Sequence, residues 1–138
     1  MYLVDTNVIS EARKGERGNP GVQRFLAEAA AQVRPLYLSV VTIGELERGI
    51  GLIRHRGDHD QANRLARWFE HILSDYGDAI LAIDEEIARV WGYLRVPNAE
   101  NPLDKLIAAT ALCHDLIAVT RNERDFADTG VRLINPFS

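Results

Sequence analysis

At 138 residues the chain is a single domain's worth of sequence, long enough to bury a core without staples. Hydrophobic residues at 46% against 26% charged exclude a disordered chain, a single cysteine excludes an intramolecular disulfide, and no apolar run approaches the roughly 20 residues that span a bilayer. A net charge of −4 excludes a protein that coats nucleic acid by bulk electrostatics, though not a nuclease whose bound divalent ions offset clustered acids.

Residues 2–4 read as a short strand, followed by a short helix from Thr6 to about Arg13 and a Gly/Pro-containing loop from Gly15 to Gly21. Val22, Phe25, Leu26 and Ala29 recur at helical spacing, and Leu36-Tyr37-Leu38-Ser39 reads as the second strand. A helix follows from about Val41 to Ile53 with Leu46, Ile50 and Ile53 as its stripe, broken at Arg56-Gly57-Asp58. The next, from about Asp60 to Leu73, carries Ala62, Leu65, Phe69 and Ile72 on one face, so the two predict a hairpin packed stripe to stripe.

Ala79 to Ile83 reads as a third strand, with Asp84 as N-cap of a helix bearing Ile87, Val90, Trp91 and Leu94. Asn101-Pro102 starts another, with proline in the first turn where its missing N–H is harmless, running to about His114. Leu116 to Val119 and Val131 to Ile134 are the last two strands. Near-continuously apolar strands alternating with helices predict an α/β fold in three layers, α/β/α, with a central parallel sheet and a helical hairpin over residues 1–138. Ligands of such sheets bind at the carboxyl ends of the strands.

Four acids stand where apolar runs give way to turns or helices: Asp5, Glu45, Asp104 and Asp125. Each has an ordinary structural reading. Asp5 can cap the first helix, Glu45 can pair with Arg48, Asp104 can close a capping box with Asn101, and Asp125 can form a turn. Against these, Asp5 ends a strand at the ligand edge, and Glu45 shares its stripe with Val41, Gly49 and Leu52, which turns it partly inward. Ala108 and Ala111 let the helix of Asp104 approach the sheet closely. Asn122 lies nearer the fourth strand's end than Asp125, so either can supply the fourth ligand.

Carboxylates that converge without a cation raise one another's pKa, and a metal resolves the conflict. Hard oxygen donors, with no Cys or paired His, point to Mg²⁺ or Mn²⁺. His55, His59, His71 and His114 are too scattered to make a zinc site. Cys113 reads as a small buried hydrophobe, and Trp68, Phe69 and Trp91 as core rather than base-stacking platforms.

These residues resemble the PIN-domain family, specifically its VapC/FitB-like toxins. The pieces are Leu3-Val4-Asp5-Thr6-Asn7-Val8-Ile9-Ser10-Glu11, then Leu38 to Leu46 with Gly44-Glu45, then Asp104-Lys105-Leu106-Ile107-Ala108-Ala109-Thr110-Ala111. Thr120-Arg121-Asn122-Glu123-Arg124-Asp125-Phe126 and Asn135-Pro136-Phe137 complete the set, in order along the whole chain. The resemblance implies Mg²⁺-dependent RNA cleavage, with Asp5, Glu45 and Asp104 at the three acidic positions of the family's site. Asn122 stands where the family often has an acid, with Asp125 three residues on. Homodimers are implied too, as is a small antitoxin whose tail enters the active site and whose DNA-binding domain represses the operon.

On this reading Glu45 orients or deprotonates a water, Thr6 positions the scissile phosphate, and Lys105, Arg121 and Arg124 hold RNA phosphates. The products expected are a 5′-phosphate and a 3′-hydroxyl, from single-stranded or loop RNA. With no secretory leader evident, the expected compartment is the cytoplasm, with no membrane partner. Two other readings compete. An apolar strand ending Asp-x-Asx resembles the opening of haloacid-dehalogenase-type phosphatases, but those need a second Asp where this chain has Asn7. A catalytically silent PIN-like protein would keep the fold and act only by binding RNA or a partner.

Overall fold

The computed structural model describes residues 1–138. Five strands, β1 (Tyr2–Val4), β2 (Leu36–Ser39), β3 (Ile80–Leu81), β4 (Ile117–Val119) and β5 (Leu133–Ile134), pair in parallel in the order β3-β2-β1-β4-β5. Seven helices surround them: α1 (Thr6–Ala12), α2 (Pro20–Ala31), α3 (Val40–His55), α4 (His59–Tyr76), α5 (Glu85–Leu94), α6 (Pro102–Cys113) and α7 (Glu123–Phe126). The predicted parallel sheet and α3/α4 hairpin are present. The predicted strands at 79–83 and 131–134 shrink to two residues each, and the loop expected around Asp125 is the one-turn helix α7.

Side chains alternate across a strand, and β1 shows why the fold has three layers. Tyr2 and Val4 face one side, where they join Val8, Ile9, Val22, Leu46, Ile50, Ala62 and Phe69 from α1 to α4. Leu3 faces the other, against Ile107, Ala108, Ala111 and Phe126 from α6 and α7. All three β1 side chains are buried, and burying each contributes about 2 kcal/mol. A sheet covered on both faces leaves only its strand ends open to solvent.

Most helices start at a capping side chain, Asp84 among them as the sequence predicts. Ser39 Oγ accepts from Val41 N at 3.0 Å, Asp58 Oδ1 from Gln61 N at 3.2 Å, and Asp84 Oδ1 from Ile87 N at 2.9 Å. No helix is long and apolar enough to cross a membrane. Cys113 is half-buried rather than enclosed, its thiol pushed up by burial and by the charges of Glu86 and Asp84.

The chain end is tied back at α2. Asn19 Oδ1 accepts from Gly21 N at 2.9 Å and from Ser138 N at 3.0 Å, and the Pro136 carbonyl lies where a side chain on Gly21 would begin. This closure seats Phe137 beneath the Arg121 guanidinium, 5.0 Å from the ring centre. Gly21→Ala is therefore expected to cost about 1–3 kcal/mol by forcing the tail off α2. Urea titration measures it; a change within experimental error would mean the tail shifts freely.

Candidate active site

Asp5 follows β1 at the carboxyl edge of the sheet and is only 3% exposed. Its carboxylate is held from three directions: Oδ1 accepts from Thr6 N at 2.7 Å, and Oδ2 accepts from Thr120 Oγ1 at 2.7 Å and from Asn7 Nδ2 at 3.3 Å. Burial raises its pKa, and the bonds from Thr120, Thr6 and Asn7 oppose that rise without cancelling it. The cap reading is thus correct for one oxygen only. The other is taken up by β4, which pairs Val119 beside Val4 and so brings Thr120 next to Asp5.

Glu45, one turn into α3, is half-buried, and its Oε1 accepts from Thr6 Oγ1 at 2.7 Å. Its pKa is raised by burial, lowered by the Thr6 bond and raised by the charge of Asp5. The predicted stripe accounts for this only in part, since Leu52 is 45% exposed and the buried face of α3 is Thr42, Leu46 and Ile50. Thr6, expected to touch the scissile phosphate, gives its hydroxyl proton to Glu45 and faces Thr42 Oγ1 at 3.1 Å. Its place in the structure is that of a brace between α1 and α3.

Asp104 sits in the first turn of α6, where the helix dipole favours a carboxylate. The opposite effects win. Its pKa is pushed up to about 7, first by burial and then by the charges of Asp5, Asp125 and Glu45, with a hydrogen bond to Asp125 adding to the rise. The capping box does not form: Asn101 is left-handed, at φ 54°, and makes no side-chain cap bond. Its amide instead donates to Asp125 Oδ1 at 3.4 Å. Asp5 after β1, Glu45 on α3 and Asp125 on α7 therefore all lie near enough to Asp104 on α6 for their charges to act on it.

Asn122 is exposed, and its backbone N donates to Thr120 Oγ1 at 3.0 Å. Of the two candidates for the fourth position, Asp125 is the one brought against Asp104. Lys105, expected to hold RNA phosphates, is 6% exposed, and its amine donates to the Asn98 carbonyl. It faces into the protein because α6 packs that side against the fold. Arg121 and Arg124 remain exposed beyond β4. Sequence reasoning missed Thr120 and Asn7 as supports of Asp5; a buried threonine ending a strand was the available signal, but only the pairing of β4 with β1 gives it a partner.

No three of these acids, and no His or Cys, stand at the spacing of a formed metal site. The residues nonetheless fit a divalent cation. Every donor is a hard oxygen, and a cation would offset the repulsion that burdens ionised Asp104. In the metal-free protein the raised Asp104 pKa contributes stability that is complete below its ordinary value near 3.8 and is lost as pH rises through about 7. A divalent ion competes with that proton. Added Mg²⁺ or Mn²⁺ is expected to raise the melting temperature more at pH about 8 than at pH about 5.5, and an equal rise at both would contradict this.

Residues 2–131 match the PIN domain family model. Toxin FitB of Neisseria gonorrhoeae is 30% identical over 142 residues, covering 99% of this chain and 99% of that protein. The VapC ribonuclease Y4jK of Sinorhizobium fredii is 29% identical over 148 residues, covering 99% of this chain and 98% of that one. A solved structure of FitAB bound to the IR36 DNA fragment superposes with a TM-score of 0.83 at 29% identity, covering 100% of this chain and 96% of that one. With the acids at the strand ends where the fold opens, and a family match across nearly its whole length, this chain belongs to the PIN-domain family.

Proposed function

We propose that this protein is a Mg²⁺- or Mn²⁺-dependent endoribonuclease, the toxin of a type II toxin–antitoxin pair, acting in the cytoplasm on single-stranded or loop RNA. The observation that supports this reading is that Asp5, Glu45 and Asp125 lie close enough to Asp104 for their charges to raise its pKa. Such a cluster is costly for folding and matches hydrolytic chemistry at a phosphodiester. Similarity to a toxin and to a ribonuclease of the same length supports it.

Asp5, Asp104 and Asp125 would hold the cation, with Glu45 beside them. When bound, a divalent cation polarises the phosphodiester and makes water easier to deprotonate. Glu45, with its pKa raised and one oxygen anchored by Thr6, is suited to orient the attacking water and take its proton. Bonds from Thr120 and Asn7 favour the ionised form of Asp5 against the pull of burial and fix its orientation. Arg121, which rests over Phe137, and Arg124 would meet phosphate oxygens beyond β4. Unpaired RNA is the expected substrate because its bases can be splayed out and read.

Partners follow from the same reading. A small antitoxin with a DNA-binding domain would hold the toxin inactive, and the toxin would act as a homodimer; DNA in the solved FitAB complex is consistent with such an assembly. The phosphatase-like reading of the first strand gives way to the PIN match, and Asn7 serves as a donor to Asp5.

The test is incubation of purified protein with total RNA in Mg²⁺ or Mn²⁺, beside EDTA. Metal-dependent fragments with 5′-phosphate and 3′-hydroxyl ends are expected. Fragments ending in 2′,3′-cyclic phosphate would overturn the hydrolytic mechanism, and intact RNA together with retained RNA binding would leave a binding protein.

A further inference from the structure

Outside the acid cluster, the most distinctive surface lies along α1 and the 3₁₀ turn Gly15–Arg17 that follows it. Two depressions meet there at Arg13. One, of about 550 Å³, is lined by Arg13, Lys14, Glu16 and Arg17; the other, of about 300 Å³, lies between Arg13 and the face of α4 carrying Gln61, Arg64, Leu65 and Trp68. Only two ion pairs occur in the whole chain, Lys14 with Glu11 and Arg132 with Asp115. Arg13, Arg17 and Arg64 are therefore without a carboxylate partner. Arg13 is common to both depressions, with Arg17 in one and Arg64 in the other, so an anionic ligand spanning Arg13 would face three cations that no carboxylate pairs.

The length of α1 separates the depressions from the acid cluster. Asp5 caps the start of α1 and Arg13 caps its end, a separation of about 12 Å at 1.5 Å per residue. On the side of β4, Glu11 lies within reach of the charges of both Lys14 and Arg121. Glu11 itself is occupied, accepting from Lys14 Nζ at 3.0 Å and from Asn19 N at 2.9 Å. Glu16 is the one acid lining either depression. Trp68, partly buried against the core, lends the far end an aromatic edge.

Resting on the ribonuclease reading above, we propose that Arg13, Arg17 and Arg64 form a track for the sugar–phosphate backbone of the RNA strand flanking the scissile bond. Cations that follow a backbone, with an aromatic side chain among them, are the means by which proteins hold single strands without reading their sequence. A track of this kind contributes affinity for longer RNA and leaves the choice of cleavage site to groups nearer the acids.

The test is fluorescence anisotropy with a single-stranded RNA of about 15 nucleotides, in an Asp104→Asn background so that binding is read without cleavage. The triple variant Arg13→Gln, Arg17→Gln, Arg64→Gln is expected to bind about tenfold more weakly. Its plot of log affinity against log salt should flatten by about 2, because each phosphate that a cation neutralises on a single strand adds roughly 0.7 to the slope. The triple Arg→Lys variant keeps the charges and should restore the slope, which a merely structural role for the arginines would not produce. Unchanged affinity and slope in the glutamine variant would overturn the track while leaving the nuclease reading intact. Loss of binding to an acidic antitoxin peptide, with RNA affinity kept, would overturn it in favour of a protein partner. Absence of both RNA cleavage by the wild-type protein and RNA binding by the Asp104→Asn form would remove the nuclease reading and the track together.

Discussion

Asp104→Asn is expected to lower RNA cleavage by about a thousandfold or more and, in the same molecule, to raise the melting temperature of the metal-free protein. Both effects have one cause. Asp104 is half-buried, and burial together with the charges of three other carboxylates pushes its pKa up to about 7. Asparagine has nearly the same shape, keeps a hydrogen-bond acceptor and carries no charge. It therefore removes the repulsion and one oxygen donor together. Near neutral pH, where the acid is partly ionised, the variant should melt higher than the parent in EDTA, and that advantage should shrink when Mg²⁺ is added. Calorimetry of both proteins with and without metal, beside an RNA cleavage assay, measures it. A variant that is inactive and also less stable in EDTA would show that Asp104 supports folding through interactions beyond its carboxylate neighbours, and full activity would remove it from the site.

Thr120→Val should have the second largest effect, although Thr120 touches no substrate. The hydroxyl is fully buried, donates to Asp5 Oδ2 at 2.7 Å, and accepts from Asn122 N at 3.0 Å and Asn7 Nδ2 at 3.4 Å. Valine fills the same volume and removes all three bonds. A lost hydrogen bond to a buried carboxylate costs about 2 kcal/mol or more. Because the Thr120 bond lowers the Asp5 pKa against the pull of burial, its loss should raise that pKa further. Cleavage should then need about 10- to 100-fold more metal, as when an outer partner of a metal ligand is removed. The acid limb of its pH profile should also move to higher pH. Recovery of activity at saturating metal would separate this positioning role from a direct one. Wild-type metal dependence with wild-type stability would mean that Asp5 is held adequately by Thr6 and Asn7 alone.

The two variants differ in how far the sequence announces their effects. Asp104 stands out in sequence as an acid opening an apolar helix with small residues behind it. Its competing role as the acid of a capping box is removed by the left-handed backbone at Asn101, which no local pattern announces. Thr120 has a role only because β4 lies beside β1, joining residues 115 positions apart. The same dependence on packing explains Lys105. Its place beside Asp104 made it a plausible phosphate ligand, yet consecutive helical residues point about 100° apart, and that turn sends it inward to the Asn98 carbonyl.

What the amino-acid sequence determined by itself is what period and local chemistry can encode. Apolar strands separated by helices imply a doubly covered parallel sheet. Asp84 marks a helix start, and the matching stripes of α3 and α4 imply their hairpin. Placing Asp5, Glu45, Asp104 and Asp125 after apolar runs was enough to assemble the candidate acids. The tertiary structure alone decided which carboxylates are close enough to shift one another, that Asp125 rather than Asn122 lies against Asp104, and that Arg13 and Arg64 from separate elements line one groove. The reason is physical: propensity and capping act over a turn or two of chain, whereas charge repulsion and hydrogen bonding act through space, between residues that only the packed sheet brings together.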